Sequence, residues 1–437
     1  MKPIGLVRTA VVGAMVAAIA ACGSGKPMAE SAGEFVRVEH GRFYVGDSVY
    51  RFVGTNFWYG AILASTGRGG DRERLARELD LMQQTGIDNV RILVGGDGDE
   101  SVPSHIQPVL QTAPGVYNDT ILDGLDYLMA ELERRGMKAV LYLNNSWEWS
   151  GGYGTYLQWA GCGVAPDPTA DGYRQYVDHV AQFVRNDSAR QMAANHVRHI
   201  VSRTNRYTHQ PYTESTALMA WEIANEPRAF ASDSLTKRAF ASWIREQAQL
   251  IKRIDANHLV ATGSEGLYGC QVDMDLWEEI HTYPEIDYGI LHLWPSNWGW
   301  VNRENLTTAV DTAWQTSLAY IMPHVELMHR ADRPLVLEEF GYPRDGFAYG
   351  LTSPTEARNR FYDLLLTWAT TTDCVQGVNF WAWGGYAQPR HERWQPGDDY
   401  AGDPAQEPQG LFSVFAGDSI TLRLIRQAAT AATRSKK

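Results

Sequence analysis

A closed (β/α)8 TIM barrel, an α/β fold, is what the sequence predicts, and three observations predict it. Short β-branched or apolar runs alternate eight times with amphipathic helical stretches, the rhythm of a parallel sheet wrapped in helices. Eight such units favour ring closure over an open doubly wound sheet. No glycine-rich loop of the form GxGxxG or GxxxxGKS follows the first run, which demotes a nucleotide-binding fold.

The elements follow in chain order. Lys2 and Arg8 precede an apolar stretch at 10–21, too short to span a bilayer but suited to the core of an export signal. It ends Ile19-Ala20-Ala21-Cys22, which resembles a bacterial lipobox, where cleavage before the Cys frees its thiol to carry a diacylglycerol. Residues 1–21 are therefore expected to be a lipoprotein signal peptide, Cys22 the lipidation site and 22–34 a small, polar tether. Gly23 resembles the outer-membrane class of such proteins, so the membrane is an expected partner through that anchor. Residues 35–437 are expected to form the one barrel domain. Its strands are expected at 50–55, 89–94, 138–143, 218–223, 259–262, 288–293, 335–338 and 378–382. Helical patterns at 71–85, 121–135, 235–255, 307–330 and 354–370 begin on acidic, Ser/Thr or Pro residues and end near Gly, Asn or Asp. A Pro-, Gly- and Asp-rich stretch at 386–418 separates the last strand from the last helix, where it would overhang the active face.

Composition narrows the function. With 437 residues, 44% hydrophobic and 21% charged, the chain can build one large core and has little room for a second full domain. Net charge is −12 and the basic runs are short pairs such as Arg134-Arg135, so nucleic acid is excluded as a partner class. Fifteen Trp and 21 Tyr, several beside Gly, Asn or Pro, suit rings presented on loops for stacking sugars. After Cys22, three cysteines remain, Cys162, Cys270 and Cys374, which allows at most one disulfide within the chain. No His/Cys cluster has metal-ligand spacing, so neither a metal nor a cofactor is expected. Nothing suggests an obligate oligomer, and a monomer is expected.

In such a barrel, chemistry concentrates at the C-terminal ends of the strands. The fourth strand runs into Trp221-Glu222-Ile223-Ala224-Asn225-Glu226-Pro227-Arg228 and the seventh into Leu337-Glu338-Glu339-Phe340-Gly341. Two carboxylates converging on one cleft are what glycosidic cleavage needs: one protonates the leaving oxygen while the other attacks the anomeric carbon or activates water.

On these motifs the chain, over nearly all of 35–435, resembles glycoside hydrolase family 5. The resemblance makes Glu226 the acid/base and Glu339 the nucleophile. It prefers them to Glu222 and Glu338, and strand alternation would leave Glu338 outward or in a structural hydrogen bond. It makes Arg91 the partner that keeps the nucleophile ionised, Asn225 the holder of the sugar 2-hydroxyl, Trp381 the floor beneath the attacked sugar and His292 the sixth-strand histidine. Asn144 and Trp58 join the substrate-binding candidates.

Trp294 departs from the family pattern, because a Tyr usually stands there and its hydroxyl contacts the nucleophile. The third strand departs too, ending in Asn144-Asn145 where many members carry His. Asn144-Asn145-Ser146-Trp147, the run ending in Arg228, and Gln406-Glu407-Pro408-Gln409-Gly410 resemble endo-β-1,4-mannanases, and His292-Leu293-Trp294-Pro295 with Asn297-Trp298-Gly299-Trp300 resembles a bacterial branch of them. There Arg228 would bind sugar on the leaving-group side. The resemblance thus implies retaining, endo-acting hydrolysis of mannan, glucomannan or galactomannan, with an exo-acting β-mannosidase or β-1,4-glucanase as same-family alternatives. A lipid-anchored carbohydrate-binding protein without turnover is the alternative from another class.

Overall fold

The computed structural model describes Met1, residues 34–102 and residues 104–434. The expected signal peptide, Cys22 and nearly all of the 22–34 tether lie outside the described residues.

Eight parallel strands form the barrel: β1 (Phe52–Asn56), β2 (Asn89–Leu93), β3 (Lys138–Tyr142), β4 (Leu218–Glu222), β5 (Leu259–Ala261), β6 (Gly289–Leu293), β7 (Leu335–Phe340) and β8 (Val375–Phe380). Their order around the sheet is β5-β4-β3-β2-β1-β8-β7-β6. The ring is completed at the β5/β6 seam by single contacts instead of a regular ladder: Asp287 N–H donates to Val260 O at 2.9 Å and His292 N–H to Glu265 O at 3.1 Å. The expected strands are all present. β8 starts three residues before its expected position at 378 and ends before Trp381, which places that ring on the loop above the strand.

Eight long helices alternate with the strands: α1 (Arg72–Thr85), α2 (Asp119–Arg135), α3 (Asp187–Val201), α4 (Ser234–Ile254), α5 (Met274–Thr282), α6 (Val310–Arg330), α7 (Glu356–Thr371) and α8 (Ser419–Arg434). The first five start alike. Asp71, Asn118, Asn186, Asp233 and Asp273 each hold extended backbone while the side chain accepts from a first-turn N–H that has no intrahelical partner.

A three-stranded antiparallel sheet precedes the barrel, at Val36–Glu39, Arg42–Val45 and Ser48–Val49. Its Val36 and Phe43 pack with Phe52, Val140, Ala220, Ile290 and Val336, so it plugs the N-terminal end of the barrel with apolar contacts. The opposite end is left for polar groups. Above β3, residues 143–186 carry the short helices Gly152–Trp159, Pro168–Asp171 and Tyr173–Val180, which build one wall of the site. Cys162, Cys270 and Cys374 are free thiols. No helix among the described residues is long and apolar enough to cross a membrane.

Candidate active site

The site is built upward from Arg91. Its guanidinium, fully buried inside the barrel on β2, donates from Nε to Glu222 Oε2 at 2.8 Å and from its two terminal nitrogens to Asn56 Oδ1 and Asn225 Oδ1, each at 3.0 Å. It also hydrogen-bonds Glu339 Oε1. The Tyr142 ring lies 4.3 Å from the guanidinium carbon and covers one face. A planar cation with its donors so committed fixes the carboxylates around it.

Above Arg91, β4 delivers Glu226 through a turn in which Glu226 itself sits at φ +46°. That left-handed conformation is uncommon for a residue with a Cβ, and its neighbours hold it there. Glu226 N–H donates to Gly263 O at 2.9 Å, and Ser146 Oγ donates to Glu226 O at 2.5 Å. Gly263 is glycine for a reason: a Cβ there would stand 1.8 Å from Ala224 O and push the β5 end off the turn.

His292 joins the two carboxylates. Its Nδ1 lies 2.8 Å from Glu226 Oε1 and 3.2 Å from Glu339 Oε2, and one oxygen of each carboxylate and the imidazole nitrogen all fall within 4.8 Å of one another. His292 thereby supplies the contact to Glu339 that the Trp at position 294 cannot make. Burial alone would lower the affinity of His292 for a proton, but Glu339, Glu226 and Glu338 outweigh it and raise its pKa well above the usual value. Glu226 moves the other way. Burial pushes it up, yet the hydrogen bond and charge of His292, with Arg228 and the Trp147 Nε1–H donated at 2.5 Å to Oε2, hold its carboxyl at about 2. Both shifts favour the proton on the His292 side of their 2.8 Å contact.

Glu226 and Glu339 face a cavity of about 440 Å³, whereas Glu222 and Glu338 lie beneath it. Both Glu338 and Glu339 nevertheless point into the barrel. Against β6, Leu337 pairs with Leu291 and Glu339 with His292, so Glu338 is an extra residue in a β-bulge and strand alternation is suspended there. Of the two places expected for Glu338, outward or in a structural contact, the bulge rules out the first, and Glu338 is held inside the barrel 3.4 Å from Arg91 Nε.

Trp381 floors the cavity, meeting Trp149 and Trp294 edge to face at 6.5 and 5.9 Å between ring centroids. Gly341 makes room for Trp294, because a Cβ there would sit 2.6 Å from that ring. Arg228 and Asn225 also line the cavity. Arg228 is ion-paired with Glu265, whose Oε1 accepts the Trp298 Nε1–H at 3.0 Å, and it lies over the Trp147 ring.

Four sequence-predicted binders are not among the residues that line the cavity: Arg91 and His292, which bear on it through the carboxylates, and Trp58 and Asn144. Trp58 is buried and donates its Nε1–H to Gly402 O at 2.7 Å, so it anchors the long loop from below. Asn144 turns its side chain back to the Asn145 N–H at 2.6 Å and shapes the end of β3. Conversely, Trp147, Trp149, Glu148, Glu265 and Glu407 line the cavity and were not singled out as site residues. Trp147 and Glu407 sat inside motifs quoted from the sequence, but no periodicity marks which residue of a loop turns inward.

The 386–418 loop forms the remaining wall through Pro404, Gln406 and Glu407. Buried Asp403 organises it, accepting from the N–H groups of Gly410 and Phe412 at 2.8 Å and of Ser413 at 3.2 Å. Arg358 ties the same segment to α7 through Ser413 O at 3.0 Å and Leu411 O at 2.5 Å. Burial, with Asp403, Glu148 and Glu339 nearby, pushes Glu407 up to about 8, and burial pushes Glu148 up to about 7.

A parallel barrel that brings paired carboxylates, an arginine and a floor of tryptophan together at the C-terminal ends of its strands is the framework of a glycoside hydrolase. The chain belongs to glycoside hydrolase family 5: the description "GH family 5 beta-mannosidase-like" matches residues 33–437. The structure of a family 5 mannosidase from Rhizomucor miehei superposes with a TM-score of 0.84 at 28% identity, covering 92% of this chain and 98% of that one. Mannan endo-1,4-beta-mannosidase 1 of Arabidopsis thaliana is 27% identical over 353 residues, 77% of this chain and 78% of the relative. Mannan endo-1,4-beta-mannosidase 5 of Solanum lycopersicum is 27% identical over 320 residues, 70% of each. The protein is a glycoside hydrolase with mannosidase and mannanase relatives. These relatives are plant and fungal, so they lend no support to a bacterial branch.

Proposed function

We propose that the enzyme hydrolyses β-1,4-mannosidic bonds with retention and takes sugars from chain ends. Retention is supported by the carboxylate spacing: oxygens of Glu226 and Glu339 approach within 4.8 Å, near the roughly 5–5.5 Å typical of enzymes that form a covalent intermediate and too close for a water between nucleophile and sugar. Glu339 attacks the anomeric carbon as the glycosidic C–O bond breaks. The proton held on His292 Nδ1 passes to Glu226 along their 2.8 Å hydrogen bond and on to the leaving oxygen. Water then enters, Glu226 accepts its proton, and the glycosyl ester on Glu339 is cleaved. Asn225 holds the 2-hydroxyl, Trp381 carries the attacked sugar, and Arg228, braced by Glu265, meets the leaving-group side.

The observation that carries end-directed action is Glu407, which the 386–418 loop puts into the same cavity as Glu339 and Glu148. No protein donor reaches either carboxyl oxygen of Glu148. Acidic side chains on the wall beside the catalytic pair are suited to the hydroxyls of a terminal mannose, and they narrow the path of a chain running through. Internal cleavage of mannan is the second reading, favoured by the names of the plant relatives. Mannopentaose and galactomannan separate the two. End action releases mannose with little early loss of viscosity, whereas a mixture of oligosaccharides with rapid loss of viscosity overturns it.

Export and lipid anchoring at Cys22 complete the reading on the strength of the leader alone. A Cys22→Ser chain that still partitions with membranes would overturn the anchor.

A further inference from the structure

The mechanism above leaves two buried carboxyls unused. Glu222 and Glu338 lie below the catalytic pair, almost without solvent exposure, and share Arg91 Nε at 2.8 and 3.4 Å. No nitrogen or hydroxyl donor satisfies Glu222 Oε1 or either oxygen of Glu338. Two buried carboxyls that share one guanidinium nitrogen repel each other as anions, which favours a proton on one of them. Burial lifts Glu222 well above the carboxylate range. Burial opposes the charge of Glu338 too, but Arg91, Glu222 and His292 outweigh it and hold Glu338 below that range. These directions favour Glu222 as the acid of the pair and Glu338 as the anion.

The β7 bulge aims that anion at the far edge of the histidine. Glu338 Oε2 lies 3.7 Å from His292 Nε2, a charge pair without a hydrogen bond, and 3.4 Å from Arg91 Nε; no protein group hydrogen-bonds His292 Nε2 among the described residues. The imidazole is thus clasped between the catalytic carboxylates at Nδ1 and Glu338 at Nε2.

We propose that Glu338 is a positioning residue for the reaction: from the Nε2 side it orients the His292 ring and keeps on it the proton that Glu226 delivers. The inference rests on the reading of Glu226 as acid/base.

The surrounding groups leave Glu338 this role. From β2, Arg91 neutralises Glu339 and Glu338 together. Tyr142 on β3 and Tyr288 at the foot of β6 are raised by burial and stay neutral. From the loop after β5, the Glu265 carbonyl accepts the His292 backbone N–H. From α5, His281 is held at about 3 by burial and hydrogen-bonds Thr262. Arg228 acts on the far side of Glu226.

The test is the pH dependence of kcat/KM on an aryl or oligomeric β-mannoside. Glu338→Gln removes the anion and makes the His292–Glu226 unit lose its proton more readily, so the basic limb moves down by about one pH unit. Glu338→Asp, with its charge drawn back, moves the limb the same way by less. Glu222→Gln replaces a neutral group by a neutral group and leaves the limb in place, whatever it does to the rate. An unmoved limb in Glu338→Gln, at any rate, overturns the proposal; if that variant does not fold, an unmoved limb in Glu338→Asp does so. Undiminished turnover in Glu226→Ala would instead overturn the acid/base reading itself.

Discussion

The division of labour between the paired glutamates sets what single substitutions do. Glu226→Ala removes the proton donor for a sugar leaving group and is expected to slow mannobiose cleavage by about 10²–10⁴-fold. Its effect on formation of the glycosyl-enzyme should be far smaller for an aryl β-mannoside whose leaving group needs no proton, and steady-state rates on the two substrates check this. Trp147→Phe keeps the ring but deletes the 2.5 Å hydrogen bond to Glu226 Oε2. A hydrogen bond to a charged group is worth about 1.5–3 kcal/mol, so kcat/KM should fall by about tenfold or more with thermal stability little changed. These roles were unequally legible in the sequence. Glu226, Glu339, Arg91 and Asn225 fall in strand-end motifs and converge as expected, because a strand end in a barrel has only one place to point. Trp58 carried no such constraint. It follows β1 closely, yet its ring turns under the 386–418 loop instead of into the cavity.

Elements were readable where their periodicity or caps are local. The helices expected at 71–85, 121–135 and 235–255 start within two residues of those positions, whereas those capped by Asn186 and Asp273 were not read from the sequence; all five caps accept a first-turn N–H. Asn186→Ala should cost about 1 kcal/mol, measured as a shift of the denaturation midpoint at unchanged slope. The bulge in β7 was not readable, because alternation over a six-residue strand does not betray one inserted residue, and Glu338-Glu339 fits either face. The 386–418 loop was legible as a wall by its position after β8, but not in its interior, where one buried Asp403 carboxylate meets several backbone N–H groups. Asp403→Ala leaves those donors buried without an acceptor. A loss of about 1–3 kcal/mol is expected, together with faster proteolysis within 386–418.

On the scale of the whole molecule, the barrel has an apolar end closed by the 36–49 sheet and a polar end that carries the chemistry. The eight-fold alternation made the barrel evident, while the plug was missed, although Gly41 and Gly46 punctuate its short alternating runs as hairpin turns do. Phe43 is fully buried between the plug and the barrel floor. Phe43→Ala should lower stability by about 3–5 kcal/mol, read by chemical denaturation. KM should hardly change, since the plug lies at the end opposite the cavity. The central claim, that Glu339 is the nucleophile of a retaining reaction, is tested most directly by mapping where a 2-deoxy-2-fluoro-β-mannosyl fluoride labels the enzyme. The account predicts one glycosyl adduct on Glu339, found by peptide mass spectrometry and lost in Glu339→Ala. An adduct on Glu338, or rapid turnover to the α-anomer with no adduct, would contradict it.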